Sequence, residues 1–268
     1  MKIKVNGINI DYRDEGEGEP VIFIHAFPLN QTMWDEQVAA VKNCCRAITL
    51  DLRGFGNSDV TEGPYFMDQM ASDVRALMSA LDIEQATIVG LSMGGYISLA
   101  LYRNYPEAVR AMVLADTRAS ADTHEGRERR KKSAEKAEHE GAVSVASDVI
   151  PNLLARSTVE NRLDIVERIR TMIEANSPEG IAAAQRGMAE RRDSTYILAA
   201  IDFPTLIIVG SEDALTPVAE AEAMRDGIHG SDMRVIEGAG HLSNLERPHE
   251  FNAILVEFIE KLNAAAID

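Results

Sequence analysis

The stretch Gly90-Leu91-Ser92-Met93-Gly94-Gly95 follows an apolar run, Ile83 to Val89, and predicts a strand, a sharp turn at Ser92 and then a helix. A tight strand-to-helix turn of the form G-x-S-x-G lifts a serine hydroxyl clear of a sheet, and its glycines let one backbone segment approach another. By composition alone, the three fixed positions would occur by chance in roughly one chain of this size in ten. The pattern therefore gains meaning only if the rest of the sequence supplies partners for the serine.

The composition is that of a globular protein with a strong negative charge. The 268 residues are enough for one large domain or two small ones, and 46% of them are apolar and 26% charged, which is typical of folded proteins. The formal net charge of −16 argues against a nucleic acid or an anionic membrane as partner, because both bind positive surfaces. It places no restriction on a small substrate.

Neither export nor membrane insertion is predicted. No apolar run approaches the roughly eighteen residues of a spanning helix, and the first residues lack the apolar block of a secretory signal. Cys44 and Cys45 are adjacent, a spacing that suits neither a disulfide framework nor a metal site. We therefore expect a cytoplasmic protein in which both cysteines are buried and reduced.

Strand and helix patterns alternate over residues 1–117. A hairpin is predicted around Asn6 and Gly7, and the continuous apolar runs after it indicate strands that are covered on both faces, as in a parallel sheet. Segments with apolar residues three or four apart separate these runs and predict helices. The predicted strands are 21–24, 47–50, 83–89 and 112–114, and the predicted helices are 32–41, 67–81 and 93–105. This alternation is typical of an α/β layer structure.

Residues 118–200 differ, because only helical periods occur there. The segment opens with a charge-dense stretch, 125–140, whose interleaved basic and acidic residues favour a solvated helix face over a nucleic-acid contact. Strands resume at 206–209 and 233–236, and a last helix is predicted at 248–262. We therefore predict an α/β core formed by residues 1–117 and 201–268, with a helical cap at 118–200 inserted between its two parts.

Three polar residues are predicted to lie just beyond the carboxyl ends of strands, the edge at which open α/β sheets bind ligands. They are Ser92, Asp213 and His241. A serine hydroxyl becomes an effective nucleophile when a base accepts its proton, and a carboxylate orients that base. The interpretation is that Ser92 is the nucleophile, His241 the general base and Asp213 the acid that orients it.

Two other residues compete for these roles. Asp116 also follows a buried strand, and a carboxylate there could in principle reach the same histidine, so it is the alternative to Asp213. His25 ends a strand as well, but the residues after it, Ala26-Phe27-Pro28, favour a loop-shaping role over that of the base.

An acyl-transfer site also needs hydrogen-bond donors for the oxyanion. The amide of Met93, the residue after the serine, lies at a predicted helix N-terminus and is one candidate. The second is the amide of Phe27, in the loop after Ile24. Since both donors would be backbone N–H groups, the apolar side chains of Phe27 and Met93 are compatible with this role and with core packing.

Five motifs together resemble the α/β-hydrolase superfamily over nearly the full chain, most closely its small esterases and 3-oxoadipate enol-lactonase-like members. The motifs are His25-Ala26-Phe27-Pro28, residues 51–58 (Asp-Leu-Arg-Gly-Phe-Gly-Asn-Ser), residues 90–95, Gly210-Ser211-Glu212-Asp213 and Gly238-Ala239-Gly240-His241. The resemblance implies an eight-stranded, mostly parallel sheet flanked by helices, with a cap after strand six and a catalytic triad of Ser92, Asp213 and His241 in that chain order. Ala26 stands where the family more often has glycine, and its methyl group would narrow the oxyanion loop.

The expected function is therefore a serine hydrolase that cleaves a small carboxylic ester or lactone through an acyl-enzyme, with no metal and no cofactor. Carbon–carbon bond hydrolysis and cofactor-free perhydrolysis use the same triad and are alternatives within the enzyme class. A non-catalytic or slow small-molecule receptor on the same fold is the alternative from another class. Candidate linings of an apolar pocket in the cap, each of which could instead pack against its neighbours, are Leu153, Leu154, Met172, Ile173 and Met188.

Overall fold

A computed structural model describes residues 1–265 and contains one eight-stranded sheet. Its strands lie in the spatial order β1-β2-β4-β3-β5-β6-β7-β8. The strands are β1 (Lys2–Val5), β2 (Ile8–Glu15), β3 (Pro20–Ile24), β4 (Arg46–Leu50), β5 (Ala86–Leu91), β6 (Val109–Ala115), β7 (Thr205–Gly210) and β8 (Asp232–Ile236). β2 pairs antiparallel with β1 and β4, and the other neighbours are parallel. The predicted mostly parallel eight-stranded α/β-hydrolase sheet is confirmed.

Helices connect the strands and cover the sheet. The α-helices are α1 (Asp35–Val41), α2 (Met67–Ala80), α3 (Met93–Asn104), α4 (His124–Leu153), α5 (Arg156–Asn161), α6 (Leu163–Glu174), α7 (Pro178–Ala189), α8 (Val218–Gly227), α9 (Ser243–Glu246) and α10 (Pro248–Ala265). Short 3₁₀-helices occur at Gln31–Trp34, Pro106–Ala108 and Thr195–Ala200. β5 and β7 are buried at every residue, which is why their sequences are continuous apolar runs without polar alternation.

The start of β5 differs from the predicted strand at 83–89, because Ile83 takes part in the hydrogen bonds that close α2. The Ile83 amide donates to the Met78 carbonyl at 2.8 Å, and the Asp82 amide donates to the Ser79 carbonyl at 3.2 Å. Asp82 has a positive φ of 55°. This pair of bonds around a left-handed residue is the Schellman arrangement that closes many helices, so the strand begins only at Ala86.

Residues 118–200 fold into α4, α5, α6 and α7 and one 3₁₀-helix, and α4 packs on both α6 and α7. The helical conformation of α4 is interrupted at Gly141, which has φ 79° and ψ 176°. Ser177 caps α7, because its hydroxyl accepts a hydrogen bond from the Gly180 amide at 3.2 Å. That this segment is a separate cap domain with boundaries at 118 and 200 stays a prediction.

The two cysteines differ in exposure. Cys45 is buried, and burial raises the pKa of its thiol to about 12, which keeps it protonated and unreactive. Cys44 lies in the turn after α1 and is only half-buried, so the expectation that both are buried was wrong for Cys44. Both are free thiols.

Within residues 1–265, no helix combines the length and the apolar character needed to cross a membrane. The cytoplasmic location stays a prediction.

Candidate active site

The turn between β5 and α3 holds Ser92 in a backbone conformation that few residues adopt. Its φ is 57° and its ψ is −114°, and such a conformation costs a non-glycine residue on the order of 1–3 kcal/mol. Residues at and just after the end of β6 stabilise this conformation by forming hydrogen bonds with the amide and the carbonyl of Ser92. The Ser92 amide donates to the Ala115 carbonyl at 2.9 Å, and the Thr117 hydroxyl donates to the Ser92 carbonyl at 2.8 Å.

Two glycines make this turn sterically feasible. A Cβ atom on Gly94 would lie 2.1 Å from the Ile24 carbonyl oxygen, and one on Gly90 would lie 2.4 Å from the Gly94 carbonyl oxygen. Both distances are far below van der Waals contact. Any side chain at these positions would therefore push α3 away from β3 and β5 and move Ser92 with it.

His241 bridges Ser92 and Asp213 by two hydrogen bonds. Its Nε2 lies 2.7 Å from Ser92 Oγ, and its Nδ1 lies 2.8 Å from Asp213 Oδ2. All three residues are buried, with Ser92 the most accessible at 8%. In this arrangement the carboxylate fixes the tautomer with the proton on Nδ1, which leaves Nε2 free to accept the serine proton. The three residues predicted from strand ends thus meet at one edge of the sheet.

Asp213 is held by the loop that follows it. The amides of Leu215 and Thr216 donate to its Oδ1 at 2.8 and 2.9 Å, and the Thr216 hydroxyl donates to its Oδ2 at 2.6 Å. Burial would raise the pKa of Asp213, but the charge of His241 and the hydrogen bonds from His241 and Thr216 hold it below its usual value. Sequence reasoning missed Thr216, since a threonine three residues after an aspartate is common in loops.

The electrostatic surroundings of His241 stabilise its protonated form. Burial would lower the pKa of His241, but the charge and hydrogen bond of Asp213, with further contributions from Asp116 and Glu246, raise it above its usual value. The neutral imidazole that a general base requires therefore becomes dominant at a higher pH than for a free histidine.

Asp116, the alternative acid, binds backbone and hydroxyl groups instead of the imidazole. Its Oδ1 accepts from the Gly210 amide at 2.8 Å, and its Oδ2 lies 2.5 Å from the Ser243 hydroxyl. The side chain is completely buried. Burial, reinforced by the nearby charge of Asp213, raises the pKa of Asp116 to about 8. A neutral carboxylic acid here links the ends of β6 and β7 to the loop that carries His241.

His25 uses both ring nitrogens to shape the loop after β3. The Leu52 amide donates to its Nε2 at 3.1 Å, so the ring proton lies on Nδ1, which donates to the Ala26 carbonyl at 2.9 Å. Burial lowers the pKa of His25, which is consistent with a neutral ring. These contacts agree with a loop-shaping role.

The two predicted oxyanion donors are adjacent to this site. Phe27 lines the same cavity as Ser92, and Met93 is the first residue of α3. Among residues 1–265, no protein group accepts a hydrogen bond from either amide. The loop of Phe27 is held in place by the Asn176 side chain, which donates to the Pro28 carbonyl at 2.7 Å. Both amides are therefore available to a ligand oxygen.

Ser92 and His241 line a cavity of about 390 Å³ whose wall also includes residues of α4 and α7. This volume lies at the small end of the range for ligand sites. Of the five candidate lining residues, Leu153 and Met188 do line it. Leu154, Met172 and Ile173 pack in the hydrophobic core instead. Leu154 follows the last residue of α4, and the other two lie on α6, which contributes no residue to the cavity wall.

The charge-dense stretch 125–140 also contributes to this wall. Arg129 and Arg130 line the cavity, and Arg130 binds Asp122 and Gln185. The prediction of a solvated helix face was therefore wrong at Arg130, which forms hydrogen bonds with residues outside its own helix.

In the described part of the chain, no group of three or more metal-ligating side chains forms a candidate metal site.

Fold and site together define an α/β hydrolase, and comparison with known proteins agrees. The chain belongs to the α/β-hydrolase fold family, whose sequence model matches residues 19–248. It is 30% identical to 3-oxoadipate enol-lactonase 2 of Acinetobacter baylyi over 258 residues, which cover 96% of this chain and 95% of that protein.

Two solved structures are similar over nearly the whole chain. A thermophilic esterase from Thermogutta terrifontis, with malate bound, superposes with a TM-score of 0.95 at 40% identity, covering 97% of this chain and 98% of the esterase. The enol-lactonase from Burkholderia xenovorans LB400 superposes with a TM-score of 0.91 at 29% identity, covering 97% of this chain and 100% of the enol-lactonase. The protein is thus an α/β hydrolase with esterases and lactonases among its relatives.

Asp116→Asn should remove a pH dependence of stability. The folded state holds a proton on Asp116 up to about pH 8, whereas the unfolded chain loses it near pH 4. Raising the pH between these values therefore favours unfolding, by up to about 1.4 kcal/mol per pH unit. Urea unfolding at pH 5, 6, 7 and 8 should show a steeper loss of stability in the wild type than in the variant. Equal slopes would contradict a protonated Asp116.

Proposed function

We propose that the protein is a serine hydrolase that cleaves small carboxylic esters or lactones through an acyl-enzyme. The observation that carries this proposal is the continuous set of hydrogen bonds from Asp213 through His241 to Ser92, which ends in a cavity of small-molecule size. The relatives named as esterase and enol-lactonase add support. The same hydrogen bonds favour a hydrolase over a receptor, since a receptor would not need a serine paired to a base.

In the first half-reaction, His241 Nε2 takes the proton of Ser92 Oγ as that oxygen attacks the carbonyl carbon. The amides of Phe27 and Met93 donate hydrogen bonds to the oxyanion. The tetrahedral intermediate then collapses, the bond to the alcohol oxygen breaks, and His241 gives its proton to that oxygen. Asp213 stabilises the imidazolium while it exists and fixes the orientation of the ring.

In the second half-reaction, water replaces the alcohol. His241 takes a proton from the water, the resulting hydroxide attacks the acyl carbon, and the bond to Ser92 Oγ breaks as His241 returns the proton to Oγ. The products are the free acid and the alcohol, or a hydroxy acid if the substrate is a lactone. Every proton that these steps require is held by His241, Ser92, water or the leaving oxygen.

Ser92→Ala should lower kcat for a short-chain ester by about a millionfold, because the residues of a triad act as a unit. Asp213→Asn should cost about ten-thousandfold by favouring the wrong imidazole tautomer, whereas Asp116→Asn should cost far less. Steady-state kinetics on purified variants measure these effects, with Ser147→Ala on the exposed face of α4 as the matched control. Turnover by Ser92→Ala near the wild-type rate would refute the proposal, and a larger loss in Asp116→Asn would make Asp116 the acid.

The pH dependence of kcat/KM should follow the deprotonation of His241. The protonated imidazole cannot accept the Ser92 proton, so kcat/KM should be low in acid and rise as His241 becomes neutral. Because Asp213 and its neighbours raise the pKa of His241, the midpoint should lie above 6.5, the value for a free histidine. The measurement is kcat/KM for one ester between pH 5 and 9, and a flat profile from pH 5 to 8 would contradict this role.

A further inference from the structure

The cavity wall concentrates positive charge in a strongly acidic protein. Arg118, Arg129 and Arg130 line the same cavity as Ser92, although the chain has a formal net charge of −16. Two aspartates also line it. One of them, Asp148, is bound by Lys136, whose Nζ lies 2.5 Å from its Oδ2. The other aspartate, Asp122, is the one that contacts the arginines of this wall.

Three arginines share the carboxylate of Asp122. Arg118 and Arg130 bind its two oxygens at close distance, and Arg191 Nη2 donates to its Oδ1 at 3.2 Å. The Asp122 side chain is only 2% exposed. Burial would raise the pKa of Asp122, but the three guanidinium groups lower it to about 2. One negative charge therefore faces three positive charges, and the four groups together retain two positive charges.

Other charged groups compensate this excess only in part. Glu220 interacts electrostatically with Arg118, and its carboxylate accepts a hydrogen bond from the Ser120 hydroxyl at 3.0 Å. Arg191 is directed away from a ligand by its own contacts. It donates to the Ser120 carbonyl at 2.6 Å and stacks on the Tyr96 ring, with its guanidinium carbon 3.8 Å from the ring centroid. Arg191 thus holds Asp122, and Asp122 holds two of the three arginines of the cavity wall, Arg118 and Arg130.

Both of these wall arginines retain unused donors. Arg118 binds Asp122 through Nη2, and its Nε is buried without a hydrogen-bond partner. Arg130 uses Nε for Asp122 and Nη1 for Gln185 Oε1, at 3.1 Å. Within residues 1–265, no protein acceptor binds Arg118 Nη1 or Arg130 Nη2. A planar guanidinium with free donors is the group that best matches a carboxylate.

We infer that Arg118 and Arg130 form a carboxylate-binding subsite, so that the preferred substrate is an ester or lactone that also carries a free carboxylate. This inference rests on the proposed hydrolase function of Ser92. The free carboxylate offsets the uncompensated positive charge of the partly buried arginines and fixes the orientation of the substrate in the cavity. Asp122 and Arg191 are positioning residues for this subsite, because they act only through Arg118 and Arg130.

The binding test uses succinate and succinamide, which have the same size but differ in charge. Isothermal titration of the wild-type protein should show succinate binding about 10- to 100-fold more tightly than succinamide, the difference expected from charge-assisted hydrogen bonds. Arg118→Gln and Arg130→Gln should each reduce this preference. Arg225→Gln, an exposed arginine on α8, should leave it unchanged. Equal binding of the two compounds by the wild type, or an unchanged preference in both cavity variants, would overturn the subsite.

The kinetic test separates the subsite from the hydrolase function itself. Monoethyl succinate and ethyl succinamate carry the same scissile ester next to a carboxylate or an amide. The ratio of their kcat/KM values should favour the carboxylate by about 10- to 100-fold in the wild type and fall toward one in Arg118→Gln. A ratio near one in the wild type would overturn the subsite and leave the hydrolase intact. Hydrolysis of neither ester, with the succinate preference retained, would support the subsite and contradict the function proposed for Ser92.

Discussion

The close packing of α3 against the ends of β3 and β5 is the constraint on which this site depends. It requires that Gly90 and Gly94 have no side chain, because a Cβ at either position would overlap a backbone carbonyl. Only then can the chain turn sharply enough to present the Ser92 hydroxyl at the edge of the sheet. The strained backbone of Ser92 persists because Ala115 and Thr117, at the end of β6, bind its amide and carbonyl.

The same edge of the sheet brings three carboxyl groups near one imidazole and gives them different roles. Asp213 is held ionised by His241 and by hydrogen bonds from its own loop. Asp116, which is fully buried, is held neutral. Glu246 accepts hydrogen bonds from the Gly240 amide at 2.7 Å and the Ala155 amide at 3.0 Å, so it joins the loop of His241 to the segment after α4. Neighbouring carboxyl groups in such a site have different pKa values because their environments differ. The same chemical group can therefore play different roles.

Much of the fold was predictable, because a parallel sheet covered on both faces demands continuous apolar strands such as β5 and β7. The meeting of Ser92, Asp213 and His241 was also predictable, since parallel strands present their carboxyl ends at one edge. The start of β5 was not, because Ile83 takes part in a Schellman arrangement around Asp82, which depends on a backbone conformation that glycine usually signals. The environment of Arg130 was not predictable either. Its partners, Asp122 and Gln185, lie before α4 and on α7, so no pattern within the stretch 125–140 could indicate them.

Covalent labelling with a fluorophosphonate, followed by peptide mass spectrometry, tests whether Ser92 is an activated nucleophile. An activated serine reacts with this reagent, whereas an ordinary serine hydroxyl does not. We expect one label per chain, located on Ser92, and its loss in His241→Ala, in which Ser92 remains but its base is gone. Absence of labelling in the wild type, labelling at another residue, or equal labelling of Ser92 in His241→Ala would show that His241 does not activate Ser92.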